Sequence, residues 1–240
     1  MNQNEAVPIG IVACSAEGAA LCYRTIIHES SALLGENVHP EVSLHTMPFD
    51  RYVTCLDDGD LEGVADLMLT SAHKLAGAGA GLLVCPDNTI HAAWPYLAAK
   101  APLPWLHIAE VVAAEASRRG FRRLGLLGTH WLVASDVYPP VLEAAGIDCV
   151  RAPEPDRVET GRVIMEEFVQ GRFEQPAIDY LRHLIDGFAQ AGCDGVILGC
   201  TELPLVLNDD NAAVPTLDST RLLARDAVRE SQERAAAAPV

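Results

Sequence analysis

Apolar residues along this chain fall into two kinds of run. Short unbroken runs, such as Pro8 to Ala13 and Val196 to Leu198, alternate with longer stretches where apolar positions recur every three or four residues. The first kind reads as strands buried on both faces and the second as amphipathic helices. In order, the pattern predicts a strand over Pro8 to Ala13, a small-residue turn at Cys14 to Gly18, and a helix from Ala19 to Leu34. A strand over Val42 to Thr46 and a loop from His45 to Arg51 follow. Next come a helix from Leu61 to Ala76, with Val64, Leu67, Met68 and Leu75 at helical spacing, and a strand after Gly79. A helix starting near Asn88 and a strand over Pro104 to Ile108 complete the first half.

The pattern then starts again. Arg123 to Thr129 has the form of Pro8 to Cys14, the helix ending at Gly192 matches the one ending at Gly79, and Val214 to Asp218 matches Leu103 to His107. Gly79 to Asp87 and Gly192 to Cys200 are each a glycine turn, an apolar run and a polar residue at the ninth position. Asp87 and Cys200 therefore hold equivalent seats. Strands separated by helices imply parallel sheets with right-handed crossovers. The expected fold is α/β, with two pseudo-twofold-related lobes, each a central parallel sheet flanked by helices, and a site in the cleft between them. The expected lobes are 1–106 with 215–240, and 107–214. Arg151 to Val158, rich in proline and charge, reads as a surface loop, and the Ala-rich end after Glu233 as frayed.

Composition narrows the chemistry. Half of the 240 residues are hydrophobic, enough for a substantial core. No apolar run approaches the ~20 residues of a membrane span, and Met1 to Pro8 lacks the basic and apolar parts of a signal peptide, so a cytoplasmic protein is expected. Seven cysteines without a C-x-x-C pair fit neither a disulfide framework nor a zinc ribbon. A net charge of −16 with no basic stripe argues against nucleic acid. It gives an anionic substrate no long-range attraction, but leaves room for one held by a few local groups. Of the two lysines, Lys74 sits in a helical pattern and Lys100 in a Pro-rich loop, and neither suits a pyridoxal phosphate Schiff base. Gly77, Gly79 and Gly81 precede their strand, whereas a dinucleotide fingerprint follows one.

The residue just past a parallel strand is the usual seat of chemistry. Cys200, in Gly-Cys-Thr-Glu-Leu, would be activated there by the amide groups of a helix start, or would simply pack. Asp87 is either a proton-transfer group or the N-cap of the helix that follows it. Asn88, Thr89, Thr201 and Glu202 flank the two, while Ser15 and Thr129 occupy the matching loops after the first strand of each half. Arg24 and Arg51 are candidate partners for a substrate carboxylate, with solvated arginine as the ordinary alternative. His91 would assist proton transfer or bond a backbone carbonyl. A metal held by Asp87, His91 and Glu202 has no recognised ligand spacing.

At these residues the chain resembles the cofactor-independent aspartate/glutamate racemase superfamily, and within it the bacterial aspartate/glutamate racemases. The resemblance rests on Asn-Thr-x-His at Asn88 to His91, Gly-Cys-Thr-Glu at Gly199 to Glu202, Leu-His-Ile-Ala at Leu106 to Ala109, and Leu-Leu-Gly-Thr at Leu126 to Thr129. It runs from Pro8 to Ala227. It implies two α/β lobes, two cleft cysteines that take and give the α-proton on opposite faces of an amino acid, no pyridoxal phosphate, no metal, and a homodimer. The chain departs from the pattern where the first catalytic cysteine is expected, because that position is Asp87, and Cys85 falls inside the strand. A histidine common in the last helix is Leu223 here, and the early Gly-Gly-Met turn is Ala13-Cys14-Ser15. The expected function is racemisation or epimerisation of a small, acidic amino acid by Asp87 and Cys200. Asn88, Thr89, Thr201, Glu202, Arg24, Ser15, Thr129 and Arg51 are expected around the substrate. The alternatives are a one-base decarboxylase or cis-trans isomerase of a small carboxylic acid using Cys200, and a binding protein of the same fold without catalysis.

Overall fold

The structure is a computed structural model that describes residues 6–237. Met1 to Glu5 lie outside the described residues, and with them most of the segment expected to lack a signal peptide. In chain order the elements are β1 (Ile9–Ala13), α1 (Ala16–Leu34), β2 (Val42–Thr46), α2 (Phe49–Asp57), α3 (Leu61–Gly77) and β3 (Leu82–Val84). A 3-10 turn (Thr89–Ala93) then runs into α4 (Trp94–Leu97), followed by β4 (Trp105–Leu106) and α5 (Ile108–Arg119). The second half contains β5 (Arg123–Leu127), α6 (His130–Ala134), α7 (Pro139–Ala144), β6 (Asp148–Arg151) and α8 (Glu154–Arg162), which continues as a π-helical stretch (Val163–Phe168). It closes with α9 (Gln175–Gln190), β7 (Gly195–Leu198), a 3-10 turn (Leu203–Leu205), β8 (Thr216–Asp218) and α10 (Ser219–Ala237).

These elements form two compact units. One comprises the chain up to Ile108 together with the segment from Thr220 onward, and the other is Ala109–Ser219. The first holds a parallel sheet in the order β2-β1-β3-β4, and the second a parallel sheet in the order β6-β5-β7-β8. Each order is the other shifted by four strands, so the repeat in the sequence is a repeat of topology. Each unit packs its own apolar cluster. Val12, Met68, Leu75, Leu83 and Leu97 belong to the first, and Leu127, Leu181, Ile185, Phe188 and Val196 to the second.

Glycines place the helices on the strands. Gly79 (φ 96°) and Gly192 (φ 79°) take the left-handed conformation that ends a helix. Beside them Ala80 N–H donates to the Leu75 carbonyl and Cys193 N–H to the Phe188 carbonyl, each at 3.0 Å. Inside the central strands, a Cβ on Gly10 would lie 2.8 Å from Leu83, and one on Gly125 would lie 2.6 Å from the Phe188 ring. In the second unit the bare strand admits the α9 side chain.

Several expectations need correction. Phe49–Asp57 is helical, although only a loop from His45 to Arg51 was expected before Leu61; Phe49, Tyr52, Val53 and Leu56 do carry helical spacing. Arg151 to Val158 is the end of β6 and the start of α8, because Pro155 stands in the first turn, where its missing N–H costs nothing. Strand β4 is only two residues long, since α5 begins at Ile108. Residues 215–219, expected with the first unit, lie in the second, where β8 pairs with β7. His107 and Ile108 belong to the first unit. The end after Glu233 stays helical to Ala237, and Ala238 to Val240 lie outside the described residues.

Candidate functional site

In a sheet ordered 2-1-3-4, ligands bind at the carboxyl ends of the strands where the order reverses, that is after the first and third strands. In the first unit those loops hold Cys14 and Ser15 after β1, and Cys85 to Asn88 after β3. In the second they hold Gly128 and Thr129 after β5, and Gly199 to Thr201 after β7. The sheet register shows that the loops correspond. Gly10 pairs with Leu83 and Gly125 with Val196, and counting four residues onward from each partner reaches Asp87 and Cys200.

In the first unit, Asp87 is half-buried, and its Oδ2 accepts the amide hydrogens of Cys14 (3.3 Å) and Ser15 (3.1 Å). Asp87 was expected either to act on protons or to cap its own helix. The second expectation is corrected here, because Asn88, and not Asp87, is the N-cap of the turn that follows; the Asp87 Oδ2 bonds go to the turn that leads into α1. Ser15 is the N-cap of α1 and accepts the Gly18 amide at 3.2 Å. Asn88 is buried, and its carbonyl accepts the His91 amide at 3.1 Å. Thr89 begins the 3-10 turn and is half-buried.

Beneath this loop lies a layer of buried aromatic and titratable side chains. His91 donates from Nδ1 to the Asp87 carbonyl at 2.9 Å, and its ring meets that of His107 edge-on, with centroids 4.8 Å apart. Burial, reinforced by His107, holds the His91 pKa down at about 3, and burial holds that of His107 at about 4. Tyr52 is fully buried, and burial, then the neighbouring Cys14, Cys85 and Asp87, pushes its phenol pKa up. Cys85 is fully buried as expected for a strand-end core residue, and burial pushes its thiol pKa up.

In the second unit, Cys200 is half-buried and is not in a disulfide. Its Sγ–H donates to Glu202 Oε2 at 2.9 Å, and the Thr201 hydroxyl donates to the same oxygen at 2.9 Å. Glu202 is 3% exposed. The expected helix start at Cys200 is absent, since only the 3-10 turn Leu203–Leu205 follows. The group next to the thiol is a carboxylate rather than a row of helix amides. Thr129 caps α6 by accepting the Leu132 amide at 3.3 Å. Ser219 donates its hydroxyl to the carbonyl of Leu198, the last residue of β7, at 2.9 Å. Glycine is required at Gly199, where a Cβ would stand 2.8 Å from the Leu127 carbonyl oxygen.

Both candidate arginines stand on helices of the first unit. Arg24 is exposed on α1. Arg51 is exposed on α2, in an open groove of about 530 Å³ that it lines with Asp50, Thr54, Asp66 and Thr70 of α2 and α3. No group of three or more His, Cys, Asp and Glu that could hold a metal ion occurs among the described residues. No helix among them is long and apolar enough to cross a membrane.

The model of the Asp/Glu/hydantoin racemase family matches residues 9–227, spanning both sets of loops. The chain belongs to this family. A glutamate racemase of Thermus thermophilus is 31% identical over 152 residues, which cover 62% of this chain and 54% of that protein. The match thus spans about half the length of that relative. A broad specificity amino-acid racemase of Bacillus subtilis is 23% identical over 190 residues, covering 79% of this chain and 81% of that one. Among solved structures, an aspartate racemase homologue from Pyrococcus horikoshii OT3 superposes with a TM-score of 0.80 at 28% identity, covering 93% of this chain and 98% of the other.

Reading the family chain from its letters missed two members of the layer under Asp87. Tyr52 lies on the overlooked helix α2, whose apolar spacing was available in the sequence. His107 stands within Leu-His-Ile-Ala, and nothing in the local pattern pairs it with His91.

Proposed function

We propose that this chain is a cofactor-independent amino-acid racemase or epimerase acting on a small, acidic amino acid, with Cys200 and Asp87 as the proton-transfer groups for opposite faces of the substrate. The observation that carries the reading is the Cys200–Glu202 pair. A thiol that is to remove an α-proton must first lose its own, and Glu202 Oε2, at 2.9 Å, is the acceptor within reach. Glu202 then holds the thiol's proton while the thiolate takes the α-proton, and Asp87, in its protonated form, gives its proton to the other face of the carbanion and is left as the carboxylate. This gives Glu202 a part in acid–base chemistry rather than in holding a substrate carboxylate. The amides and hydroxyls of Asn88, Thr89, Ser15, Thr129 and Thr201 remain the proposed carboxylate-binding set. The glutamate racemase of Francisella tularensis, crystallised in complex with D-glutamate, has the same fold at 15% identity and a TM-score of 0.68.

A second reading is favoured by one specific observation. Two backbone amides on Asp87 Oδ2 favour the ionised carboxylate, which is a poor proton donor. In that reading Cys200 works alone from one face, as a decarboxylase or isomerase of a small carboxylic acid.

The test is incubation with single enantiomers of aspartate, glutamate and other amino acids in D₂O, following the α-proton by NMR and configuration by chiral chromatography. The racemase reading expects deuterium entry with inversion. Cys200→Ala should lower the rate about 10²- to 10⁴-fold, and Asp87→Asn should abolish inversion. Exchange with retained configuration in the natural chain, or CO₂ release from an added malonate, would move the assignment to one-base chemistry. Saturable binding without exchange would sink catalysis altogether.

A further inference from the structure

Side chains hold the Cys85 to Asn88 loop at successive carbonyls. The Thr220 hydroxyl donates to the Pro86 carbonyl at 3.5 Å. The Asp87 carbonyl receives His91 Nδ1–H at 2.9 Å and the Cys85 thiol at 3.8 Å. The Asp87 carbonyl is open to side chains for a local reason. In the 3-10 turn, the His91 amide bonds to the Asn88 carbonyl three residues back, whereas α-helical geometry would have taken it to Asp87.

A carbonyl oxygen only accepts, so Nδ1 of His91 carries the proton and Nε2 of the neutral ring carries a lone pair. Nε2 is buried without a hydrogen-bond partner, and the whole side chain is 2% exposed. As packing alone this is a poor residue, because leucine would fill similar space without an orphaned buried acceptor, which is unfavourable. The benefit lies at the other nitrogen. Burial lowers the ring's pKa to about 3, so near neutral pH the ring is uncharged and that bond persists.

We propose that His91 is a positioning residue for Asp87: its Nδ1–H anchors the Asp87 carbonyl and so fixes the backbone from which the carboxylate reaches the Cys14 and Ser15 amides. The assignment rests on the reading that Asp87 acts on substrate. In this assignment His91 acts through the Asp87 main chain, by the hydrogen bond from Nδ1. A displacement of about 1 Å at a reacting group costs about 10²-fold in rate, so one main-chain anchor is enough to matter.

The first measurement needs no variant and no substrate. ¹⁵N NMR of histidine-labelled protein should show His91 neutral, in the Nδ1–H tautomer, between about pH 5 and 8. An Nε2–H tautomer, or a ring that titrates in that range, overturns the proposal. The second compares His91→Leu, which removes the donor, with His91→Asn, whose side-chain amide can replace it. Leucine should move the ¹³C shift of the Asp87 carboxyl and lower kcat about 10- to 100-fold, with KM nearly unchanged and unfolding stability equal or higher. Asparagine should restore both readings. A leucine variant whose rate falls only in step with its stability, or an asparagine variant no better than leucine, overturns the proposal. If the natural chain itself shows no turnover, the racemase reading fails, while the tautomer and the carboxyl shift still decide the role of His91.

Discussion

At the scale of the residue, burial decides more than identity. His91 and His107 are ordinary histidines in the sequence, yet their surroundings hold their pKa values at about 3 and about 4. Above about pH 6.5 both rings are neutral in the folded and unfolded chains, so their contribution to stability is fully present and flat. As pH falls below that, the unfolded chain takes up protons that the folded chain refuses. Stability is then lost progressively, down to about pH 4 for His107 and about pH 3 for His91, at up to about 1.4 kcal/mol per pH unit for each ring. Urea unfolding at several pH values between about 6.5 and 4.5 should therefore give a shallower acid slope for His107→Phe than for the natural chain. Equal slopes would mean that the ring is not held neutral. Asp87 and Cys200 were legible as equivalent residues because strand length and glycine turns are local signals. Glu202 was legible only as a neighbour, since its hydrogen bond with Cys200 depends on how the turn after β7 folds back.

At the scale of the element, glycines and helix starts carry the design. A Cβ on Gly125 would meet the Phe188 ring at 2.6 Å, so Gly125→Ala should destabilise the protein by about 1–3 kcal/mol in denaturant titration. Adding Phe188→Leu should recover part of that loss, because the clash is with a side chain. If the two changes add independently, Phe188 is not what excludes a side chain at Gly125. The elements read from sequence were those with strong apolar periodicity, such as α3 and the central strands. Helix α8 was missed because Glu154–Arg162 is almost wholly polar and buries only Thr160 and Gly161. Strand β4 was read too long, because a short apolar run does not reveal where strand ends and helix begins. Neither the 3-10 turn after Asn88 nor the one after Glu202 has a signal that separates it from an α-helix start, and both change what the adjoining site residue can bond.

At the scale of the whole molecule, the path of the chain makes the two units unlike in one respect. Ala109–Ser219 is continuous, whereas the other unit needs both ends of the chain. Its last helix, α10, is joined to the rest of that unit by the Val7 amide on the Ser231 carbonyl (3.0 Å), the Ser231 hydroxyl on the Val7 carbonyl (2.6 Å) and the Arg225–Glu29 ion pair (2.8 Å). A fragment of residues 109–219 should therefore melt cooperatively by circular dichroism. A fragment of 1–108 should not, unless the 220–240 segment is added. Cooperative melting of 1–108 alone would show that α10 is dispensable to that unit. The sequence by itself determined the α/β class, the internal repeat, the family, and the pair of stations at Asp87 and Cys200, because periodicity, glycine turns and short motifs are written within a few neighbouring residues. Only the tertiary structure decided what those stations touch. The amides that hold Asp87 lie 73 and 72 positions away in the chain, and such a meeting follows from strand register and packing, which no local stretch of letters encodes.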